Sequence, residues 1–396
     1  MTLPPLGRRA LAGVFAILLA ACGSTSAPSV PRAAAFEHAT RPDSGSTPIQ
    51  HIVLMIQENR SFNDCFAGFP GAVGTKVGEK LVRKRGSGYV EVPVNLSERN
   101  LSDRKNLTHD YPSFLRAYQN GAMDGFNLIK FDGKPEGRHP YEYVNPAQIA
   151  PYWDIASQWG LADDLFMTQG SESFIAHQDL IRGGTFVSAG ASLIDAPTSS
   201  LVWGCDSAKG TKTSLITTAL RLRTDRGPFP CSNKFRDYGS DGYKTLRDLL
   251  DAQSISWKYY TPQFEHVQPN GIWNAFDVIA PVRYGPEWTT NISSPETNIF
   301  NDISAGTLPA MSWVIPDAQN SDHPGYSFED KGPSWVASVV NAIGGSSYWD
   351  STVVIVVWDD WGGFYDPVAP PLPRDNQGGP GFRVPMLVIS PFVQVG

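Results

Sequence analysis

Short apolar runs alternate with amphipathic stretches along most of the chain. The runs are rich in β-branched residues and continuous, which predicts strands covered on both faces. They lie at 51–56 (HIVLMI), 309–316 (PAMSWVIP), 351–358 (STVVIVVW) and 384–391 (VPMLVISP). Helical spacing of apolar positions is found at 110–121, 173–184, 243–253 and 333–344. This alternation predicts an α/β fold, a three-layer sandwich with helices on both faces of a mainly parallel central sheet.

Two stretches lack such periodicity. Residues 75–105 and 190–240 carry more Gly, Ser, Lys and Arg, and we predict that they are excursions around the sheet rather than separate domains. A chain of 396 residues, 41% hydrophobic and 11% aromatic, has enough apolar material for one large α/β domain or two smaller ones. We therefore predict one folded domain over residues 48–396.

The first 47 residues predict targeting rather than folded structure. Two arginines precede an apolar stretch that is too short to span a bilayer, which indicates a signal peptide over residues 1–21. The LAAC sequence that ends at Cys22 resembles a bacterial lipobox, which implies lipidation of Cys22 and an exported, membrane-anchored cell-envelope lipoprotein. Ordinary cleavage near an A-x-A-like site is the alternative. Residues 22–47 are rich in Ser, Pro, Ala and Thr and predict a flexible tether.

Charge limits the possible partners of the chain, and the cysteines indicate which disulfides it can form. The formal net charge of −7 gives no general attraction to nucleic acid, which we exclude as a partner. Export permits disulfides, and Cys205 and Cys231 bracket an insert that a disulfide would close. Cys65 is then predicted to be a buried thiol.

Polar side chains directly follow two of the predicted strands. Glu58 and Asn59 come after the first apolar run, and Asp359 and Asp360 come after the third. In open α/β sheets, ligands bind beyond the carboxyl ends of the strands. Adjacent carboxylates repel each other, and a bound cation would remove that cost. The donors suit Mg²⁺, Ca²⁺ or Mn²⁺, and a histidine in the set would also permit Zn²⁺, whereas a solvated turn or helix cap is the structural alternative for the acidic pair.

A candidate nucleophile lies at the start of a predicted helix. Ser171 and Ser173 precede the amphipathic stretch that ends at Gly184. The free N–H groups and positive end of a helix can hold a phosphate and favour an alkoxide. The alternative is that one serine is an N-cap, because serine is a preferred capping residue.

Four sequence blocks, in order, carry a family resemblance. They resemble the phosphoesterase family that contains bacterial phospholipases C and metal-dependent acid phosphatases, within the alkaline-phosphatase-like superfamily. The four blocks are ENRSFNDCFAGFPG, AMDGF, VVWDDWGGFYDPVAPP and GPGFRVPMLVISPF. The resemblance runs from about residue 49 to 396. It implies an alkaline-phosphatase-like fold and metal-dependent hydrolysis of phosphate esters through a phosphoserine intermediate. The implied activity is of the phospholipase C type or the acid phosphatase type, with phospholipid as one candidate substrate.

The resemblance also implies a role for each residue that matches a family motif. The two metal-ligating pairs of the family match Glu58 with Asn59 and Asp359 with Asp360. Ser173 matches the nucleophile, which is also a metal ligand, because SFIAHQDLIRGG follows the family pattern of Ser or Thr, an aromatic residue and an apolar helix. The metal is a divalent ion, Ca²⁺, Mg²⁺, Mn²⁺ or Zn²⁺.

Three further residues receive roles around the phosphate. His109 in THDYPSF and His323 in DHPG correspond to active-site histidines that would bind phosphate or protonate the leaving oxygen. Arg60 would clamp phosphate oxygens, with a structural ion pair as its alternative role.

This chain departs from the family pattern in three places. Pro367 replaces a usual histidine after the acidic block, and Ile175 and Ala176 replace Pro-Asn after the nucleophile. The sequence ends at PFVQVG, where similar proteins continue, so we expect a fragment or a shortened variant. These departures keep a second function open, a surface lipoprotein of the same fold that binds a ligand without turnover.

Overall fold

The structure is a computed structural model. It describes residues 47–86, 88–103, 105–131, 133–188, 190–198, 203–225, 231, 243–263, 273–371 and 378–393. The predicted signal peptide, Cys22 and almost all of the predicted tether lie outside these described residues.

Seventeen strands and nine α-helices are assigned within the described residues. The strands are β1 (His51–Gln57), β2 (Val77–Lys84), β3 (Gly88–Asn95), β4 (Ser97–Arg99), β5 (Lys130–Phe131), β6 (Lys134–Pro135), β7 (Glu142–Val144), β8 (Gly160–Ala162), β9 (Phe186–Ser188), β10 (Ala191–Leu193), β11 (Thr213–Thr217), β12 (Leu222–Asp225), β13 (Trp257–Tyr260), β14 (Ile292–Ser293), β15 (Met311–Val314), β16 (Thr352–Trp358) and β17 (Met386–Ile389). The helices are α1 (Phe62–Phe66), α2 (Tyr111–Tyr118), α3 (Ala150–Gln158), α4 (Ser173–Arg182), α5 (Leu246–Ala252), α6 (Ala280–Arg283), α7 (Glu287–Thr290), α8 (Asn298–Ala305) and α9 (Lys331–Gly344).

A seven-stranded sheet forms the centre, in the order β14-β13-β15-β1-β16-β17-β8. Neighbouring strands from β14 to β16 are parallel, whereas β17 pairs antiparallel with both β16 and β8. The four predicted strands are confirmed as β1, β15, β16 and β17, and the four predicted helices overlap α2, α4, α5 and α9. The predicted α/β fold with a mainly parallel sheet is therefore confirmed.

Helices cover both faces of this sheet. Leu54 of β1 lies in register with Trp313 of β15 and with Ile355 of β16, so these three side chains share one face. On that face, the Trp313 indole N–H donates to a backbone carbonyl of α4 over 3.2 Å. Trp358 lies three residues after Ile355 and therefore faces the other way, where its ring packs edge-on against Tyr152 of α3. The three layers predicted from the sequence follow from these contacts.

The two less periodic stretches contain smaller sheets. Strands β2 and β3 form a hairpin within 75–105, and β9 to β12 form a four-stranded sheet that lies largely within 190–240. The predicted Cys205–Cys231 disulfide is confirmed, with 4.9 Å between the Cα atoms, and Cys65 is buried in α1. Among the described residues, the helices are all too short or too polar to cross a bilayer.

Candidate active site

The loops that follow β1 and β16 meet at the carboxyl edge of the sheet. The two strands are adjacent and in register through their last residues, Gln57 and Trp358, so the polar residues that follow them emerge side by side. The Asn59 backbone N–H donates to Asp359 Oδ1 over 2.8 Å. A Cβ atom at Gly362 would lie 2.0 Å from the Asn59 carbonyl oxygen, so glycine is required where the two loops touch. The structure thus brings both predicted polar pairs to one place.

Helix α4 adds the candidate nucleophile to this edge. Ser173 is the first residue of the helix, and its hydroxyl lies 3.0 Å from Asp360 Oδ2 and 3.4 Å from Asn59 Oδ1. Ser171 is engaged elsewhere, because its hydroxyl donates to Asp195 Oδ1 and accepts from the Asp195 N–H, both over 2.8 Å. The contacts therefore favour Ser173 over Ser171 as the residue that reaches the acidic pair.

One turn further along α4, a histidine joins the acidic residues. His177 Nε2 lies 2.7 Å from Glu58 Oε1 and 3.8 Å from Asp359 Oδ2. Sequence analysis did not assign a role to His177. The signal was available, because residues four apart lie on the same face of a helix and His177 follows Ser173 by four positions.

Glu58, His177 and Asp359 form a set of donors that fits a divalent cation. One donor atom from each of the three lies within 4.8 Å of the other two. Glu58 Oε2, Asp359 Oδ2 and His177 Nδ1 are buried and have no hydrogen-bond partner among the described residues. Two carboxylates and an imidazole suit Zn²⁺ or Mn²⁺ as well as harder cations. The predicted ligands Asn59, Asp360 and Ser173 adjoin this set, and their metal contacts stay predictions.

Burial makes the acidic residues difficult to ionise without such a cation. Burial, followed by the charges of Asp360 and Glu58, raises the pKa of Asp359 well above its usual range. Burial likewise raises the pKa of Glu58 and of Asp360. Burial lowers the pKa of His177, which favours the neutral imidazole that binds metals. Among the described residues, the ion-pair partners of these acids are histidines rather than Lys or Arg.

His109 lies on the Ser173 side of this cluster. Its Nδ1 donates to the Leu107 carbonyl oxygen over 2.6 Å, and its Nε2 accepts from the Asn59 amide over 2.9 Å in the neutral ring. Nε2 is also 3.4 Å from Asp360 Oδ2. Burial lowers the pKa of His109, but the charges of Asp360 and Glu172 outweigh it and leave the pKa above its ordinary value.

His323 is held in a different environment. Its Nδ1 donates to the Pro324 carbonyl oxygen over 2.8 Å, and its ring packs against Trp273 and Tyr326. Burial, together with the charge of His109, lowers the pKa of His323 to about 3. A neutral ring whose Nδ1 carries the proton cannot donate from Nε2, so the predicted general-acid role requires a bound anion to raise this pKa.

Arg60 is buried within the protein and bonded to backbone and carboxylate groups. The guanidinium donates to the Asp322 carbonyl oxygen over 3.0 and 2.6 Å and pairs with Asp64 over 3.3 Å. It also lies 5.2 Å from the centre of the Phe364 ring. These contacts match the structural ion pair that sequence analysis kept as its alternative role, and the phosphate-clamp role stays a prediction.

Known proteins resemble this chain over most of its length. A non-hemolytic phospholipase C of Pseudomonas aeruginosa is 23% identical over 392 residues, which cover 88% of this chain and 51% of that protein. Phospholipase C A of Mycobacterium tuberculosis is 24% identical over 401 residues, which cover 87% of this chain and 68% of that protein. The present chain therefore corresponds to only about half of the Pseudomonas protein.

One solved structure aligns with most of this chain. A protein in the alkaline phosphatase superfamily from Vibrio parahaemolyticus aligns over 93% of this chain and 64% of that chain, with a TM-score of 0.35 and 13% identity. The sequence profile of the Phosphoesterase family matches residues 49–396, which include both loops of the candidate site, helix α4 and every strand of the central sheet. The chain belongs to the Phosphoesterase family.

Proposed function

We propose that this protein is a metal-dependent phosphoric ester hydrolase of the phospholipase C type. The observation that supports this most directly is the Ser173 hydroxyl, which lies 3.0 Å from Asp360 at the start of a ten-residue helix. The Glu58, His177 and Asp359 donor set lies beside it. Relatives that are named phospholipases C support the type of ester.

Ser173 is the proposed nucleophile. Its Oγ forms a bond to phosphorus, its proton passes to Asp360 Oδ2, and the bond between phosphorus and the alcohol oxygen breaks. The free N–H groups at the start of α4 stabilise the charge on the phosphoryl oxygens, because no side chain caps this helix end. Water then hydrolyses the phosphoserine. When bound, the divalent cation held by Glu58, His177 and Asp359 would neutralise charge on the phosphoryl group.

The leaving alcohol needs a proton. His109 is the better placed donor, because its pKa is raised and it adjoins both Asn59 and Asp360. His323 would serve only if the bound phosphate raised its pKa from about 3. We therefore assign proton donation to His109 and a neutral hydrogen-bonding role to His323.

The type of ester is decided by measuring two reactions on the same metal-loaded preparation. Phosphocholine release from phosphatidylcholine, compared with phosphate release from an aryl phosphate, separates phospholipase C from acid phosphatase activity. We expect phosphatidylcholine to be cleaved. Cleavage of the aryl phosphate alone would support the acid phosphatase, and binding of either ester without product would support the ligand-binding lipoprotein.

We also propose that lipidated Cys22 holds the protein at the cell envelope. The proposal rests on the LAAC sequence and the short apolar segment before it. Fatty-acid labelling should tag the native protein, and Cys22→Ser should release it into the soluble fraction. Unchanged membrane association of the variant would argue against this anchor.

A further inference from the structure

The β2–β3 hairpin carries a concentrated positive charge in an otherwise acidic chain. From residue 80 to residue 90 the sequence contains Lys80, Arg83, Lys84 and Arg85 and no acidic residue, although the whole chain has a net charge of −7. Arg83, Lys84 and Arg85 are exposed at the end of the hairpin. Among the described residues, no carboxylate forms an ion pair with any of these three. This local surface is therefore positively charged although the chain as a whole is negatively charged.

Large apolar side chains are exposed beside these charges. Tyr89 lies directly across the hairpin from Arg83 and is 55% exposed, and Val82 is 41% exposed. Exposed aromatic and aliphatic residues next to Lys and Arg are typical of surfaces that enter the headgroup region of a bilayer. We call residues 82–85 and Tyr89 the basic hairpin tip.

The neighbouring β5–β6 hairpin also presents lysines and an aromatic residue, although its sequence includes Asp132. Asn127, in the turn before β5, exchanges two hydrogen bonds with the Leu81 backbone of β2, over 2.8 and 3.2 Å. Beyond that turn, Lys130 and Lys134 are exposed and Phe131 is 53% exposed. Two adjoining hairpins thus present basic and apolar side chains. The exposed residues of β5–β6 support the same surface independently of the charged residues in β2.

The base of the β2–β3 hairpin rests on a loop of the candidate active site. Gly78 of β2 packs so closely on the Tyr365 ring that a Cβ atom would lie 2.8 Å from it. The Tyr365 carbonyl oxygen accepts from the Ser61 hydroxyl over 2.9 Å, and Tyr365 follows Asp360 in the same loop. The base of the hairpin is therefore fixed to the loop that carries Asp360, and its tip extends about 20 Å beyond Gly78.

We propose that the basic hairpin tip docks the protein on an anionic phospholipid surface. Each Lys or Arg near such a surface contributes attraction that salt weakens, and Tyr89 and Val82 would enter the headgroup layer. Docking would concentrate the enzyme at lipid substrates, so the purpose of this binding rests on the proposed function. The binding itself does not depend on turnover.

The test measures vesicle binding with a full chain that carries Cys22→Ser and Ser173→Ala. Neither an acyl chain nor hydrolysis can then affect the result, so failure of the proposed hydrolase function would leave this test intact. Vesicles of phosphatidylcholine with about 30% phosphatidylglycerol are compared with vesicles of phosphatidylcholine alone. We expect tighter binding to the anionic vesicles than to phosphatidylcholine alone, and at least about tenfold weaker binding to the anionic vesicles when Arg83, Lys84 and Arg85 are all replaced by Glu.

The matched control replaces Arg221 and Arg223, which are exposed beside and on β12, by Glu. This variant should bind nearly as well as the parent, and all variants should share one unfolding temperature. Equal binding by the parent and the hairpin variant would overturn the proposal, as would an equal loss in the control. Binding to heparin but not to anionic vesicles would also overturn it, because the hairpin would then recognise a soluble polyanion.

Discussion

Asp360 and Asp366 lie in the same loop and are both fully buried, yet their surroundings are opposite. Asp366 accepts from Arg383 over 2.9 and 3.1 Å and from the backbone N–H groups of Asn63 and Val368. Burial raises the pKa of Asp366, and the charge of Arg383 opposes that rise. Asp360 has only hydrogen-bond donors and a histidine around it, and two further buried acids nearby.

The difference distinguishes a carboxylate paired with an arginine from a group of buried acids that have no Lys or Arg partner among the described residues. A buried ion pair such as Asp366–Arg383 is complete without any ligand, and it anchors the end of the loop to the segment before β17. The ion-pair partners of the acids around Asp360 are histidines rather than Lys or Arg, and Glu58 Oε2 and Asp359 Oδ2 accept no hydrogen bond among the described residues. Glu58, His177 and Asp359 are a donor set that could bind a metal ion, whereas Asp366 is already paired within the protein.

Replacement of Ser173 should have the largest effect. Ser173→Ala should reduce turnover by about 10³-fold or more, because it removes the covalent route instead of weakening binding. Metal content and the unfolding temperature should change little, because the acids and His177 remain. The measurement is kcat for phosphocholine release from phosphatidylcholine, together with metal analysis of the purified protein.

Ser171→Ala is the matched control for that experiment. Ser171 bonds to Asp195 rather than to the acidic cluster, so its loss should leave kcat within about tenfold of the parent. An inactive Ser171 variant beside an active Ser173 variant would reverse the assignment of the nucleophile.

The two kinds of carboxylate should respond oppositely to neutralisation. Asp366→Asn leaves Arg383 buried without its partner, which should cost about 3–5 kcal/mol of unfolding free energy. Asp359→Asn removes a repulsive charge and keeps an oxygen that can accept from the Asn59 and Asp360 N–H groups. Without metal, the Asp359 variant should therefore be as stable as the metal-free parent or more stable. Offered metal, it should retain less than the parent does.

Urea unfolding with and without a chelator measures this contrast. If Asp359→Asn destabilised the metal-free protein as much as Asp366→Asn does, the two carboxylates would be equally structural. The proposed distinction between them would then be wrong.

Removing the metal should make stability depend more strongly on pH. A carboxyl group whose pKa is raised by folding binds its proton more tightly in the folded state, so unfolding free energy falls as pH rises above about 4. Burial, assisted by the charge of Asp360, raises the pKa of Glu58 and Asp359 in this sense. The lowered pKa of His177 has the opposite effect, but only below about pH 6.5.

The clearest window therefore lies between about pH 6.5 and 8. There, the unfolding temperature of the chelator-treated protein should fall as pH rises. The unfolding temperature of the metal-loaded protein should fall less, because the cation stabilises the ionised acids. The gap between the two should widen with pH, and Asp359→Asn should reduce the widening. A gap that stays constant across this window would contradict the prediction.

Local patterns predicted the sheet because the decisive strands are continuous apolar runs. Parallel neighbours share one carboxyl edge, so the convergence of the residues after β1 and β16 also followed from the sequence. Strands β13 and β14 were not predicted, because WKYY and a two-residue strand carry too little periodicity to distinguish them from loops. The place of β13 in the sheet depends on pairing with β15, which comes later in the chain, and β14 is placed by pairing with β13.

The site was predictable only as far as its residues follow strands or begin helices. His177 needed one more step, the helical spacing from Ser173. The surroundings of Arg60 were not encoded locally, because Arg60 bonds to a carbonyl group 262 positions away. No spacing rule indicates whether a guanidinium beside an acidic motif will face a substrate or a backbone carbonyl.

Arg60→Lys should have the smallest effect and tests which of its two roles is correct. Lysine keeps a positive charge near Asp64 but cannot reproduce the two N–H bonds to the Asp322 carbonyl oxygen, so unfolding free energy should fall by about 1–2 kcal/mol. KM for phosphatidylcholine should stay within about twofold of the parent, because the guanidinium is enclosed by protein groups. A tenfold or greater rise in KM with unchanged stability would instead assign Arg60 to the phosphate, and Arg60 would then belong with Asp360 rather than with the completed ion pair of Asp366.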